Sequence, residues 1–187
     1  VRSLLIGGEK ATVERLKDWY NNGGDKVQFV NTYGPTEATI VSTIYDLSKS
    51  GESPDELTSV PIGRPISNLT NYVLDRRLVP VPVGVVGELY IGGAGVARGY
   101  LKRPELTADK FMPDPFSDRP GSLMYRSGDL VRIKHDGNID YIGRTDHQVK
   151  IRGFRIELGE IEDKLQGHSA VKECAVLDIE TARNDKK

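Results

Sequence analysis

The chain has 187 residues, 37% apolar and 28% charged, with a formal net charge of −1. That composition supports a packed core and excludes wholesale disorder, and Lys and Arg are spread too evenly for the basic stripe of a nucleic-acid surface. One cysteine, Cys174, excludes an internal disulfide framework and fits a reducing compartment, while no apolar run approaches a membrane span and the N-terminus lacks a signal pattern. A cytoplasmic protein without nucleic-acid or membrane partners is therefore expected.

Taken in order, Leu4–Ile6 reads as a buried strand ending at Gly7-Gly8. A helix follows, with Val13, Leu16 and Tyr20 on one face and Gly23-Gly24 as its stop. Lys26–Val30 is a second strand feeding the loop Asn31-Thr32-Tyr33-Gly34-Pro35-Thr36-Glu37, and Thr39–Ile44 continues as β. This opening is α/β in character. Ser48–Ser59 is polar and reads as a surface loop. From Val60 onward short strands alternate with Pro and Gly: Asn71–Asp75, Gly87–Ile91, Leu130–Lys134 and Ile139–Ile142. A small barrel or folded sheet is expected there, with a short helix opening at Pro104. Gln148–Ile156 reads as a hairpin turning near Gly153, Leu158–Gln166 as a helix stopped by Gly167, and Val171–Ile179 as a closing strand. The divisions expected are 1–59, 60–145 and 146–187. With no initiator Met and a first strand entered abruptly, the sequence reads as a piece of a longer protein.

The loop from Asn31 to Glu37 packs a ring, a Gly-Pro turn, a hydroxyl and a carboxylate into one short segment. A ring can stack on a purine, a hydroxyl can meet phosphate, and a carboxylate can hold the Mg²⁺ that travels with a nucleotide. The same run is also ordinary strand-to-loop punctuation. Further on, Asp136-Gly137 between β runs signals a two-residue hairpin turn. Such a turn sets Asp129 opposite Arg144, with Tyr141 near the same end. A carboxylate can accept from both ribose hydroxyls and a guanidinium suits phosphate, although a structural ion pair at a sheet end is the plainer alternative. A one-residue slip would spoil that opposition. The run from Gly92 to Tyr100 has its third glycine one residue late for a dinucleotide fingerprint, so close backbone packing beside a site is expected instead. The three histidines lie far apart in sequence and suggest no metal cluster.

Four runs in this order resemble the adenylation domains of nonribosomal peptide synthetases, within the adenylate-forming, AMP-binding enzymes. They are Asn31–Glu37; Gly87-Glu88-Leu89-Tyr90-Ile91 through Gly99-Tyr100-Leu101; Tyr125-Arg126-Ser127-Gly128-Asp129-Leu130; and Gly143–Gly153, continuing to Glu162. The resemblance implies the end of a large α/β subdomain with its small β-barrel part, then the beginning of an α+β C-terminal subdomain. It implies a ligase that makes aminoacyl-AMP from ATP and an amino acid, then passes the acyl group to the phosphopantetheine thiol of a carrier protein domain. Other synthetase domains are implied as neighbours. An acyl-CoA or aryl-acid ligase, or a non-catalytic nucleotide-binding module, stands as the alternative.

Carried over by position, the resemblance gives Asn31, Thr32, Tyr33 and Gly34 to the nucleotide, with Tyr33 stacking on adenine and Gly8-Glu9 lining its slot. Thr36 would touch phosphate and Glu37 would bind Mg²⁺. Asp129 would hold the ribose, with Tyr141 beside it and Arg144 on ribose or phosphate; Glu37, Thr36 and Arg144 are the implied catalytic set. Leu5, Gly7, Thr32, Ile40 and Val41 would form the amino-acid pocket, which supplies no counter-charge and favours an uncharged side chain. Asp146 would be a hinge, and Lys150, Arg152 and Gly153 would face the site during thiol transfer. Ser127 stands where the family usually has Thr. The family's glycine-rich phosphate loop and ammonium-binding Asp would precede Val1, and its C-terminal catalytic Lys would follow Lys187, so the piece alone is expected to be inactive.

Overall fold

The structure is a computed structural model and describes residues 1–146, 148–151, 154–177 and 179. It divides into two compact units, Val1–Gly143 and Arg144–Lys187.

The first unit opens with β1 (Ser3–Gly7), α1 (Val13–Asn21) and β2 (Gln28–Tyr33), with β1 and β2 parallel. Thr12 caps α1, its hydroxyl accepting from the Arg15 N–H at 3.4 Å. The helix buries Leu16, and Val13 and Trp19 pack against the same core; Trp19 sits 5.6 Å from Phe29, ring to ring. Tyr20, expected on the buried face, is 37% exposed, because the packed stripe runs through Trp19 instead. β3 (Thr43–Asp46) pairs antiparallel with β2, and β4 (Arg64–Pro65) with β3, giving the sheet order β1-β2-β3-β4. The short helix α2 (Leu47–Ser50) replaces the first part of the expected polar loop and buries Leu47.

The second sheet contains β5 (Leu69–Leu74), β6 (Val86–Gly93), β7 (Phe111–Pro113), β8 (Leu123–Ile133) and β9 (Ile139–Arg144). Its order is β5-β6-β8-β7, with β9 also on β8. The described strands form an open sheet and not a closed barrel, correcting the expected barrel part. α3 (Pro104–Lys110) begins at its proline as expected. One apolar core runs under both sheets, joining Tyr33, Ala38 and Ile62 to Leu89, Ile91 and Val131.

The β8–β9 turn differs from the two-residue form. Lys134 N–H donates to Asn138 O at 2.8 Å, and Gly137 N–H donates to Lys134 O at 2.9 Å. The loop therefore holds three residues, His135, Asp136 and Gly137, with Gly137 left-handed at φ +81°. Asp136 drives this choice, because its carboxylate accepts the Asn138 N–H at 2.9 Å and pulls the chain into a wider turn. Burial alone would raise the Asp136 carboxyl. The Asn138 hydrogen bonds and the Lys134 ammonium outweigh burial and hold it below the ordinary carboxylate range. The register is one residue away from that of a two-residue turn, and Arg132 meets Asp140 across it at 3.1 Å. The two-residue turn from which the opposition of Asp129 and Arg144 was derived therefore does not form.

In the second unit, β10 (Gln148–Ile151) and β11 (Phe154–Glu157) form the expected hairpin, with Val149 opposite Ile156. α4 (Leu158–Gln166) follows, burying Leu158. The expected strand over Val171–Ile179 does not form in the described residues. Its polar groups turn to α4 instead: Val176 N–H donates to Glu162 Oε1 at 2.8 Å, and the half-buried Cys174 Sγ lies 3.4 Å from Glu162 O. No described helix is long and apolar enough to cross a membrane.

Replacing Gly137 by Ala puts a Cβ into a left-handed turn position and should cost about 1–2 kcal/mol in urea unfolding, with Asn costing less. An Ala variant as stable as its parent would overturn the three-residue loop.

Candidate active site

Parallel β1 and β2 end side by side, Gly7 pairing with Thr32, so Gly8-Glu9 and Tyr33-Gly34 leave the sheet at one edge. Ligands of α/β sheets gather at such carboxyl ends. Asn31, Thr32 and Tyr33 belong to β2 and not to the loop they were expected to open. Asn31 is buried and its Nδ2 donates to Pro61 O at 2.7 Å; Thr32 Oγ1 donates to Ile6 O at 2.8 Å.

After Tyr33 the chain doubles back. Thr36–Ala38 is one 3₁₀ turn, and Thr39 and Ile40 then take left-handed φ of 58° and 73°, a costly conformation for β-branched residues. This breaks the β run expected over Thr39–Ile44. The reversal returns Ser42 N–H to Tyr33 O at 2.7 Å. Only glycine fits at position 34, where a Cβ would lie 2.5 Å from Ile40 O and 2.6 Å from Ser42 N. Thr36 ends exposed, whereas Glu37 is only 8% exposed.

The third motif reaches the same place from the second sheet. Between Glu88–Leu130 and Tyr90–Arg126 the β6–β8 register shifts, leaving extra residues on β8 around Ser127-Gly128-Asp129. Bulges of this kind re-aim side chains. Ser127 Oγ donates to Leu89 O at 2.7 Å and accepts from Asp129 N–H at 3.0 Å, so the hydroxyl retained in place of Thr is fully used. The bulge aims buried Asp129 at Tyr33, whose phenol donates to Asp129 Oδ2. Burial, the Asp129 charge and this hydrogen bond raise the Tyr33 phenol well above its ordinary range, with Ser127 opposing. Tyr141 packs against the same core and adds to that field.

A second phenol meets the second carboxylate. Tyr100 OH donates to Glu37 Oε1 at 2.5 Å, and burial followed by that bond raises the Tyr100 phenol. The glycine-rich run lies along the loop: Ala97 N–H donates to Glu37 O at 2.8 Å, and Thr39 Oγ1 donates to Gly95 O at 2.6 Å. Close backbone packing, read from the glycine spacing, is what forms.

The structure thus brings together Tyr33, Asp129 and Tyr141, and sets Glu37 on Tyr100. Leu5, Gly7 and Thr32 lie on the first sheet, Leu5 65% exposed, while exposed Ile40 and half-buried Val41 lie in the reversal. Arg144 belongs to the second unit, where its Nε and Nη2 reach the Asp146 carboxylate at 2.6 and 2.7 Å. Asp146 also accepts Gln148 N–H at 3.2 Å and lies just past the boundary between units. Lys150 is in β10, and Arg152 and Gly153 lie outside the described residues. Sequence reasoning missed Tyr100 and the use made of Ser127. Tyr100 stood in one of the four resembling runs and closed the glycine-rich segment, but nothing in the sequence gave it a role.

Residues 1–101 match the AMP-binding enzyme family. The chain belongs to that family. It is 55% identical over 177 residues to malpibaldin synthetase of Mortierella alpina, covering 95% of this chain and 3% of that protein. To bacitracin synthase 3 of Bacillus licheniformis it is 49% identical over 185 residues, covering 99% of this chain and 3% of the relative. Among solved structures it superposes on holo-PA1221, a nonribosomal peptide synthetase protein containing adenylation and carrier domains, with a TM-score of 0.89 and 29% identity over 100% of this chain and 32% of that one. The fused adenylation–carrier di-domain NpsA-ThdA from Klebsiella oxytoca gives 0.83 and 33%, over 99% and 36% respectively. The chain thus spans a few per cent of these synthetases and about a third of these solved proteins. The fold is that of part of an adenylation domain.

Because Tyr33 and Tyr100 are held neutral in the fold, their stabilisation is complete below a free phenol's pKa of about 10 and declines as pH rises above it. Absorbance at 295 nm should show these phenols ionising together with unfolding, and a Tyr33→Phe, Tyr100→Phe chain should show two fewer phenols ionising in that step, with buried Tyr45 and Tyr90 still contributing to it. Free ionisation of all tyrosines near pH 10 in the folded chain would refute the buried pairing.

Proposed function

We propose that this chain is part of an amino-acid-activating ligase, and that Tyr33, Glu37 and Asp129 belong to its nucleotide site. The observation carrying this reading is the Tyr33–Asp129 hydrogen bond, which joins motifs from two sheets at one point. An ATP-and-amino-acid reading accounts for each group. The amino-acid carboxylate attacks the α-phosphorus, forming aminoacyl-AMP and releasing pyrophosphate. Asp129 accepts from the ribose hydroxyls, Tyr33 and Tyr141 flank the base and sugar, and Gly8-Glu9 border the base. Thr36, exposed on its 3₁₀ turn, donates to phosphate, and Arg144 meets ribose or phosphate.

Mg²⁺ fits this donor set. It is usually held by one or two carboxylates together with substrate phosphates, and no cage of three or more His, Cys, Asp or Glu occurs among the described residues. Glu37 would hold it, and the ion would neutralise charge on the departing pyrophosphate. The acyl group then passes to the phosphopantetheine thiol of a carrier domain, with Asp146 as hinge and Lys150, Arg152 and Gly153 assigned to the thiol-transfer step. Leu5, Gly7, Thr32, Ile40 and Val41 offer no charge to a substrate, which favours an uncharged amino-acid side chain.

In the full-length protein carrying this segment, exchange of labelled pyrophosphate into ATP should require one amino acid. Glu37→Ala and Asp129→Ala should each lower that exchange by about 100-fold or more, the usual cost of losing such a group. The isolated 187-residue chain, a third of the solved adenylation proteins, should show none. Near-normal exchange in both variants, or product formation requiring free CoA, would overturn the assignment.

A further inference from the structure

We propose that Tyr100 is a positioning residue for Glu37, which fixes the carboxylate for a divalent cation without cancelling its charge. The inference rests on the proposed nucleotide site and adds a residue to it. Glu37 is 8% exposed, and its Oε1 receives the Tyr100 phenol at 2.5 Å from 63 positions away. Tyr100 is itself held at several points. Its N–H donates to Thr107 Oγ1 of α3 at 2.9 Å, and its ring stands edge-on to Phe111 of β7, 5.4 Å between centroids at 73°. The phenol also lies beside Tyr125 of β8.

The main chain is fixed along with the side chain. Ala97 N–H on Glu37 O and Thr39 Oγ1 on Gly95 O strap the glycine-rich run to the turn that carries the carboxylate. Glu37 is thus gripped through both its backbone and its carboxylate by one segment, Gly95–Tyr100.

The choice of donor matters chemically. A Lys or Arg here would pair with Glu37 and neutralise it. A neutral phenol offers one O–H, orients one carboxylate oxygen, and leaves the anion able to ligate a hard cation. The phenol O–H sets the direction of Oε1, and its removal takes that orienting contact away.

The test uses Tyr100→Phe, which keeps the ring on Phe111 and removes the O–H, in the full-length protein. Mn²⁺ binding in the presence of a non-hydrolysable ATP analogue, followed by electron paramagnetic resonance, should weaken about tenfold, the size of one hydrogen bond to a charged group. The Mg²⁺ midpoint of pyrophosphate exchange should rise in step. In a Glu37→Gln background the same substitution should have no further effect on either. Unchanged Mn²⁺ affinity with only a lowered melting temperature, or an equal shift in the Glu37→Gln background, would overturn the assignment. Absence of amino-acid-dependent exchange in the parent protein would sink the activation reading alone, because the Mn²⁺ measurement decides Tyr100 separately.

Discussion

The hydrogen bond from Tyr33 to Asp129 is the constraint on which the first unit depends. Its two ends come from the last residue of β2 and from the bulge of β8, 96 positions apart, and both are buried. A buried carboxylate or phenol without a partner costs far more than the net worth of a satisfied pair. The two sheets are therefore held in one relation around this point, and alternatives that slide β8 past β2 are penalised. Neighbouring seams use the same device. Ser59 Oγ meets the buried Asp140 carboxylate at 2.8 Å, and Ser42 Oγ meets Asn71 Oδ1 at 3.0 Å. Apolar burial supplies the driving force across the shared core, and these polar pairs select its geometry.

Much of the local structure was legible because it depends on short-range rules. α3 starts at Pro104, a position that proline marks through its fixed backbone angle, and α4 ends before Gly167 as expected, although Gly167 stays right-handed at φ −64°. The pairing of β10 with β11 was expected from the sequence as well. Where tertiary partners decide, sequence failed. Asn31, Thr32 and Tyr33 look like loop residues, yet each finds a partner that lets it stay in β2: Pro61 O, Ile6 O and Asp129. Val171–Ile179 has the composition of a strand, but Val176 N–H turns to Glu162 of α4, as β propensity alone cannot foresee. The turn at Asp136-Gly137 failed for a subtler reason. The dipeptide is right for a hairpin, and the Asp136 side chain then captures Asn138 and adds a residue to the loop.

The candidate site was legible in its carboxylates and illegible in what holds them. Glu37 and Asp129 stand in motifs whose residue types suggest nucleotide chemistry, whereas Tyr100 reaches Glu37 with its backbone N–H held by α3 and its side chain set against β7 and β8. Spacing cannot report such a contact. Ser127 illustrates the converse: its hydroxyl, read as a mild replacement, is what ties the bulge to Leu89 and so sets the direction of Asp129.

Both carboxylates end on a phenol, and this repetition has a physical consequence. Tyr33 and Tyr100 are raised well above the ordinary phenol range, so each donates a proton it does not surrender near neutral pH. A donor of that kind orders an anion while leaving its charge in place, and in a region of low polarity that charge is felt strongly. In the proposed site, carboxylates ordered this way would suit the hydroxyls of a ribose and a magnesium-bound polyphosphate.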